Sequence, residues 1–129
     1  MLRLALGGFP FYSIDTRELA SDATGYTVDT LRSLKAELPK DEMFLLMGSD
    51  QYSKFESWRE PDEVARFARL AVAARPGFAL QGRPAETIPF QPMMVSSSDI
   101  RMRAARGEDL SPFVPPSVAV YIANHGLYR

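Results

Sequence analysis

Serines and arginines crowd one short stretch, Ser96-Ser97-Ser98-Asp99-Ile100-Arg101-Met102-Arg103. At the start of a helix such hydroxyls join unpaired backbone N–H groups and the positive end of the helix dipole, and together these hold an anion. Arg101 falls in the first turn, where a guanidinium can grip a phosphate with two parallel hydrogen bonds. The same spelling serves a plain helix cap, with Asp99 set against the dipole and the arginines in water, so both uses stay open. Gly48-Ser49-Asp50 follows an apolar run. A glycine there admits close backbone approach, and an aspartate after a parallel strand accepts hydrogen bonds from ribose hydroxyls. A strand-ending turn with a helix cap is spelled alike. Trp58, the one tryptophan, sits in the polar segment Phe55-Glu56-Ser57-Trp58-Arg59-Glu60-Pro61. It can stack on a flat heteroaromatic ring or plug the core from a loop.

The residues that are missing narrow the chemistry further. The chain has no cysteine, which excludes disulfides, thiolate catalysis and zinc-thiolate sites. Its one histidine, His125, lies in Asn124-His125-Gly126, a helix-ending sequence, so histidine triads and histidine metal clusters are excluded and no metal ligand set is assigned. Neither G-x-x-x-x-G-K-[ST] nor G-x-G-x-x-G occurs. A formal charge of −1 supplies no basic field for nucleic acid. The longest apolar runs, such as Met43–Met47, are far too short to span a bilayer. Met1–Leu6 makes a poor signal peptide, and the expected location is the cytoplasm.

Elements to position these residues are readable from spacing. The 129 residues, 46% hydrophobic and 24% charged, suit one soluble domain. Met1–Leu6 reads as a helix stopped by Gly7-Gly8 but lacking an N-cap, as if the chain were cut inside an element. Phe9–Ile14 reads as a strand. Thr27 reads as the N-cap of a helix with Val28, Leu31, Leu34 and Leu38 on one face, ended by Pro39. Met43–Met47 reads as a central parallel strand buried on both faces. Pro61 opens a helix through Ala68 with Val64, Phe67 and Ala68 inward, and Leu70–Ala74 is a second buried strand. Phe78–Pro92, with three prolines, is expected to be mostly loop. Met93-Met94-Val95 is expected as a third parallel strand, running into a helix from about Asp99 to Arg106 closed by Gly107. A last helix carries Val118, Tyr121 and Ile122 on one face. This alternation predicts a doubly wound α/β fold with ligands at the carboxyl ends of its strands.

Several segments form a family pattern when taken in order. Gly25-Tyr26-Thr27-Val28-Asp29-Thr30-Leu31 is similar to an S-Y-T-x-x-T-L segment, and Leu46-Met47-Gly48-Ser49-Asp50 to a strand ending in G-x-D. Phe55-x-x-Trp58 supplies a downstream tryptophan, and Arg75-Pro76-Gly77 an R-P-G after the next strand. Val95 to Arg101 is similar to I-S-S-T-x-I-R, and Val114-Pro115 through Gly126-Leu127-Tyr128-Arg129 to a characteristic ending. Together they resemble the bacterial nicotinate-nucleotide adenylyltransferase family of the nucleotidyltransferase superfamily. The resemblance covers essentially the whole chain.

It implies a Rossmann-like doubly wound parallel sheet, incomplete at its N-terminus, in a single domain over residues 1–129. It also implies adenylyl transfer from ATP to nicotinate mononucleotide, assisted by Mg²⁺, with pyrophosphate released and no covalent intermediate. Thr27, Trp58 and the backbone at Arg59 would hold the nicotinate end. Gly48 and Asp50 would contact ribose, and Ser96, Ser98, Arg101 and Arg75 the ATP phosphates. Gly25 and Ser98 depart from the pattern's serine and threonine, and Ser98 keeps the hydroxyl. The larger departure lies upstream. The family opens with a strand, a G-x-F-D-P-x-H-x-G-H loop and a helix, and its two phosphate-binding histidines have no counterpart among these 129 residues. Catalytic residues are therefore left unassigned, and the chain alone is expected to be inactive. Two accounts fit: a longer enzyme whose start was set at an internal methionine, or an inactive nucleotide-binding remnant whose uncovered apolar faces favour oligomers. A third account, transfer to another acceptor such as phosphopantetheine, is opposed by Trp58 and Tyr26-Thr27.

Overall fold

The computed structural model describes residues 1–74 and 77–129. Its elements run α1 (Leu2–Leu6), α2 (Thr27–Glu37), β1 (Phe44–Gly48), α3 (Ser49–Ser53), α4 (Pro61–Phe67), β2 (Arg69–Ala74), β3 (Glu86–Pro89), α5 (Ser97–Ala105) and α6 (Pro116–Asn124). Two 3-10 turns, Arg17–Leu19 and Phe55–Ser57, are added to these. The chain divides into two compact units, Thr16–Pro92, and Met1–Asp15 with Met93–Arg129.

The Thr16–Pro92 unit is built on a parallel sheet of order β1-β2-β3. Successive side chains of a strand point to opposite faces. Register pairs Leu45 with Leu70 and Met47 with Val72, so these four share one face. Val28 and Leu31 of α2, Val64 of α4, Ala68, Phe55 and Tyr52 complete the buried core with Met47, Leu70, Val72 and Ala74. Val28, Phe55, Val64 and Val72 are fully enclosed, and each buried side chain of this kind contributes about 1.5–3 kcal/mol. The parallel sheet with covering helices makes the fold α/β.

Three strand expectations change. β1 lies at the sheet's edge and is covered on one face only: Phe44 and Leu46 are 50% and 63% exposed. A continuous apolar run specifies residue type and cannot say how many faces find a partner. The third strand is Glu86–Pro89, and Met93–Val95 is not a strand. β-branched Thr87 and Ile88 suit the extended form, while Pro89 falls at the last position of an edge strand, where its missing N–H costs little. The next residue continues the ladder, Phe90 N–H donating to the Ala74 carbonyl at 3.0 Å. Phe9–Ile14 also forms no strand. Phe9 and Tyr12 close turn bonds to Leu6 and Phe9 and meet edge to face, and Phe11 is left in solvent.

The other unit is helical. Ala104, Leu110, Val118 and Ile122 form its core, flanked by Ala5, Ile100, Val114 and Leu127. α5 and α6 both end as Schellman motifs. Gly107 (φ 71°) and Gly126 (φ 58°) take the left-handed position, and the amides of Glu108 and Leu127 reach back to the carbonyls of Arg103 and Ile122. His125 is the C-cap of α6, its ring stacked on Tyr121 at 3.9 Å. Among the described residues no helix is long and apolar enough to cross a membrane.

Candidate functional site

The first cluster gathers at the carboxyl end of the sheet. β1 stops at Gly48, and α3 starts at once with Ser49 and Asp50, so the acidic side chain occupies the first turn, where the helix dipole favours it. Gly48 is extended (φ −79°, ψ 165°) and a Cβ added there would meet nothing. Neither backbone conformation nor internal packing demands glycine at this strand end. Five residues of α3 lead into the turn Phe55–Ser57 and then Trp58. Phe55, 1% exposed, seats this segment in the core. Trp58 packs half-buried against the same core, its ring 5.3 Å from Phe55 at 51°. The tryptophan thus closes one side of the core from its turn.

α2 and α4 each lead down to the amino end of a strand, so their first residues lie toward the strands' carboxyl ends. There the two helix starts meet. The Arg59 guanidinium lies 4.8 Å over the Tyr26 ring, and Arg32 of α2 pairs with Glu60 at 3.5 Å and Asp29 at 2.7 Å. The Tyr26-Thr27 segment and the Trp58-Arg59-Glu60 segment are thereby joined. Thr27 proves to be the first helical residue, and Tyr26 holds the cap position. The hydroxyl that organises this start belongs to Thr24, which accepts from the Tyr26 amide at 3.2 Å and donates to Asp29 at 2.6 Å. Glu60 caps α4 in a left-handed conformation (φ 48°, ψ 58°). For a non-glycine residue this costs about 1–3 kcal/mol and persists only where its surroundings enforce it.

The enforcement includes a residue that sequence reading passed over. Arg83, from the segment between β2 and β3, donates to Glu56 through Nε at 2.8 Å and Nη2 at 2.9 Å, and to Asp62 at 2.8 Å. These hydrogen bonds hold the Glu56 carboxyl below the usual carboxylate range and raise the pKa of Arg83. No local pattern flags Arg83, because its partners lie 21 and 27 positions away. The Arg32 and Glu60 pairing is equally unmarked, and the motif that includes Tyr26 gives no sign of its ring contact with Arg59.

The second cluster lies in the helical unit. Ser96 is the N-cap of α5 in a full capping box: its hydroxyl accepts from the Asp99 amide at 3.1 Å, and Asp99 accepts from the Ser96 amide at 3.1 Å and hydroxyl at 2.6 Å. Hydrogen bonds from the Ser96 hydroxyl, then its amide, lower the Asp99 pKa. Arg101 Nη2 donates to the Ser98 hydroxyl at 3.1 Å. Ser96, Ser98 and Arg101 are therefore brought together, and all three are engaged in the helix start. By helix geometry the amides of Ser97 and Ser98 have no partner inside α5. Arg75, expected near the phosphates, lies outside the described residues together with Pro76. Among the described residues no three His, Cys, Asp or Glu gather closely enough to hold a metal ion.

Known proteins match this chain along its length. A family model described as cytidylyltransferase-like matches residues 1–103. A Thermus thermophilus protein named "Probable nicotinate-nucleotide adenylyltransferase" is 38% identical over 131 residues, covering 100% of this chain and 70% of that protein. One of the same name from Bordetella petrii is 41% identical over 143 residues, covering 100% and 71%. The chain belongs to the nicotinate-nucleotide adenylyltransferase family. Among solved structures, "Plasmodium falciparum nicotinic acid mononucleotide adenylyltransferase complexed with APC" is similar with a TM-score of 0.66 and 21% identity. That match covers 84% of this chain and 60% of the Plasmodium chain, and at this identity it establishes the nucleotidyltransferase fold. Family membership agrees with the six motifs in their order, and the parallel sheet is the framework that fold supplies.

Proposed function

We propose that this chain carries the mononucleotide-binding and phosphate-binding parts of an enzyme that transfers an adenylyl group from ATP to nicotinate mononucleotide. One observation carries the reading: Tyr26-Thr27 and Trp58-Arg59 are joined at adjoining helix starts at the carboxyl end of a parallel sheet, the end where β1 delivers Gly48 and Asp50. In this reading Trp58 stacks on the pyridine ring, while Thr27 and the Arg59 backbone hold its carboxylate. The open approach to Gly48 admits a ribose whose hydroxyls donate to Asp50. Ser96, Ser98 and Arg101, with Arg75, hold the phosphates. Arg101 turns from Ser98 to an incoming phosphate oxygen, and the Ser97 and Ser98 amides add to it.

A phosphate oxygen of the mononucleotide attacks the α-phosphorus of ATP, and the bond to pyrophosphate breaks. Such transfer depends on alignment and on offsetting transition-state charge, with no acid or base required of the protein. Mg²⁺ bound to the triphosphate would offset the charge on its oxygens, and the setting is the cytoplasm.

The 129 residues contain one histidine, engaged at the end of α6, so the H-x-G-H pair implied by the resemblance is not among them. Turnover by these residues alone is expected to be nil. Two measurements test this reading. Nicotinate mononucleotide should change Trp58 fluorescence saturably, and a flat signal at millimolar ligand would refute the Trp58 role. ATP with the mononucleotide should yield no dinucleotide from the purified, mass-verified chain, and measurable product would overturn that expectation.

A further inference from the structure

Trp58 sits on a turn closed locally from its N-terminal side, where the Ser57 amide and hydroxyl donate to the Lys54 carbonyl at 2.9 and 2.6 Å and the Trp58 amide donates to the Phe55 carbonyl at 3.0 Å. A three-residue 3-10 turn precedes it and a left-handed glutamate follows two positions later. Arg83 brackets this turn. Its side chain binds Glu56 on one side of Trp58 and Asp62 on the other, its guanidinium lies 5.7 Å from the Phe55 ring, and its carbonyl accepts from the buried Tyr52 hydroxyl. The arginine is the enclosed member of the cluster, at 23% exposure against 62% for Glu56 and 89% for Asp62. A planar guanidinium can present a two-pronged face to one carboxylate and still reach a second, which a lysine ammonium cannot do with fixed geometry.

We propose that Arg83 is a positioning residue, fastening the Phe55–Pro61 turn so that Trp58 presents its ring to a flat heteroaromatic ligand. It touches no reacting atom. The inference rests on the reading of Trp58 given above and adds the residue that sets its orientation. On the opposite side of the turn, Arg59 on Tyr26 and Glu60 on Arg32 hold the segment against α2. The Arg83 side chain ties Glu56, before the tryptophan, to Asp62, after it.

Trp58 is the single tryptophan, so its fluorescence tests this directly in the 129-residue chain. Arg83→Lys and Arg83→Gln should both shift unliganded emission to the red and increase quenching by acrylamide, while helix content and a cooperative melt are retained. The dissociation constant for nicotinate mononucleotide should rise by about tenfold in both, as expected when a preorganised contact is lost. Wild-type emission, quenching and affinity in both variants would overturn the proposal. Wild-type behaviour in Arg83→Lys alone would also overturn it, since charge would then suffice. Should Arg83→Gln lose its cooperative melt, Glu56→Gln breaks the same fork from the other partner and must reproduce the red shift. A wild-type chain whose Trp58 ignores the mononucleotide would sink the ligand reading by itself, and variant emission and quenching would still decide whether Arg83 holds the turn.

Discussion

At the start of α5, the hydrogen bonds of Ser96, Ser98, Asp99 and Arg101 join residues three positions apart. At the Trp58 turn a local bond of that kind, Ser57 to Lys54, is joined by bonds from Arg83, 21 and 27 positions away, and the turn is closed against α2 through Tyr26 and Arg32. One candidate binding point forms whenever its helix forms. The other exists only after α2, the segment after β2 and the core beneath have all been placed. A ligand at the Trp58 turn is therefore coupled to folding of the whole Thr16–Pro92 unit, whereas an anion at α5 meets a start already made by its neighbours.

The strongest way to break this contrast is to remove the turn's footing. Phe55→Ala deletes a ring that is 1% exposed and lies against Trp58. It should cost about 3–5 kcal/mol in chemical denaturation and shift native Trp58 emission to the red. A cost under about 1 kcal/mol would mean that the surroundings collapse easily around the lost ring, and that the turn does not lean on the core. Ser96→Ala is the matching local change. Loss of the capping box should cost about 1 kcal/mol and leave Trp58 emission where it was. A change in that emission would show that the two points are not independently built.

The same division explains what the sequence made legible. The α5 cap, the closing glycines Gly107 and Gly126, Val64 of α4 and Val28 and Leu31 of α2 depend on spacings of a few residues and are found where periodicity and capping chemistry put them, whereas Leu38, expected on the same α2 face, is the C-cap and 44% exposed. Family motifs marked Trp58 and Tyr26-Thr27 as belonging to one site. They said nothing of the ring-on-guanidinium contact that joins them, nor of Arg83, because pairing across 27 positions leaves no local trace. Strand placement went astray for a related reason. Met93-Met94-Val95 is apolar enough for a strand and Glu86-Thr87-Ile88-Pro89 looks too polar and proline-bound. A strand, however, is defined by its neighbour, and Ala71 to Ala74 pair with the second segment.

β1 makes that point measurable. Leu46 is 63% exposed although it belongs to an unbroken apolar run. Leu46→Thr should change stability by no more than about 0.5 kcal/mol, as for an ordinary surface position. A loss near that of a buried leucine would instead support the two-sided burial expected from the run.

The smallest expected effect separates the two candidate binding points by pH. Glu56 and Asp99 are both held below their ordinary values of 4.5 and 3.8, Glu56 chiefly by Arg83 and Asp99 chiefly by the Ser96 hydroxyl. A carboxylate with a lowered folded-state pKa adds stability that is fully present above its unfolded value and is lost as pH falls through the folded one. Acidification should therefore weaken the fold first as pH drops below about 4.5 and again below about 3.8. Arg83→Gln should flatten the upper part of this slope and Ser96→Ala a share of the lower part, the rest belonging to Asp109, which Ser111 also holds below 3.8, as read from urea midpoints across the acid range. Trp58 emission should follow the upper part only, because Glu56 borders its turn and the α5 cap is held by its own neighbours. An acid slope unchanged by Arg83→Gln would show that the Glu56 pair is too well solvated to couple to folding, and the turn would then be held by Phe55, its own Ser57–Lys54 bonds and the α2 contacts.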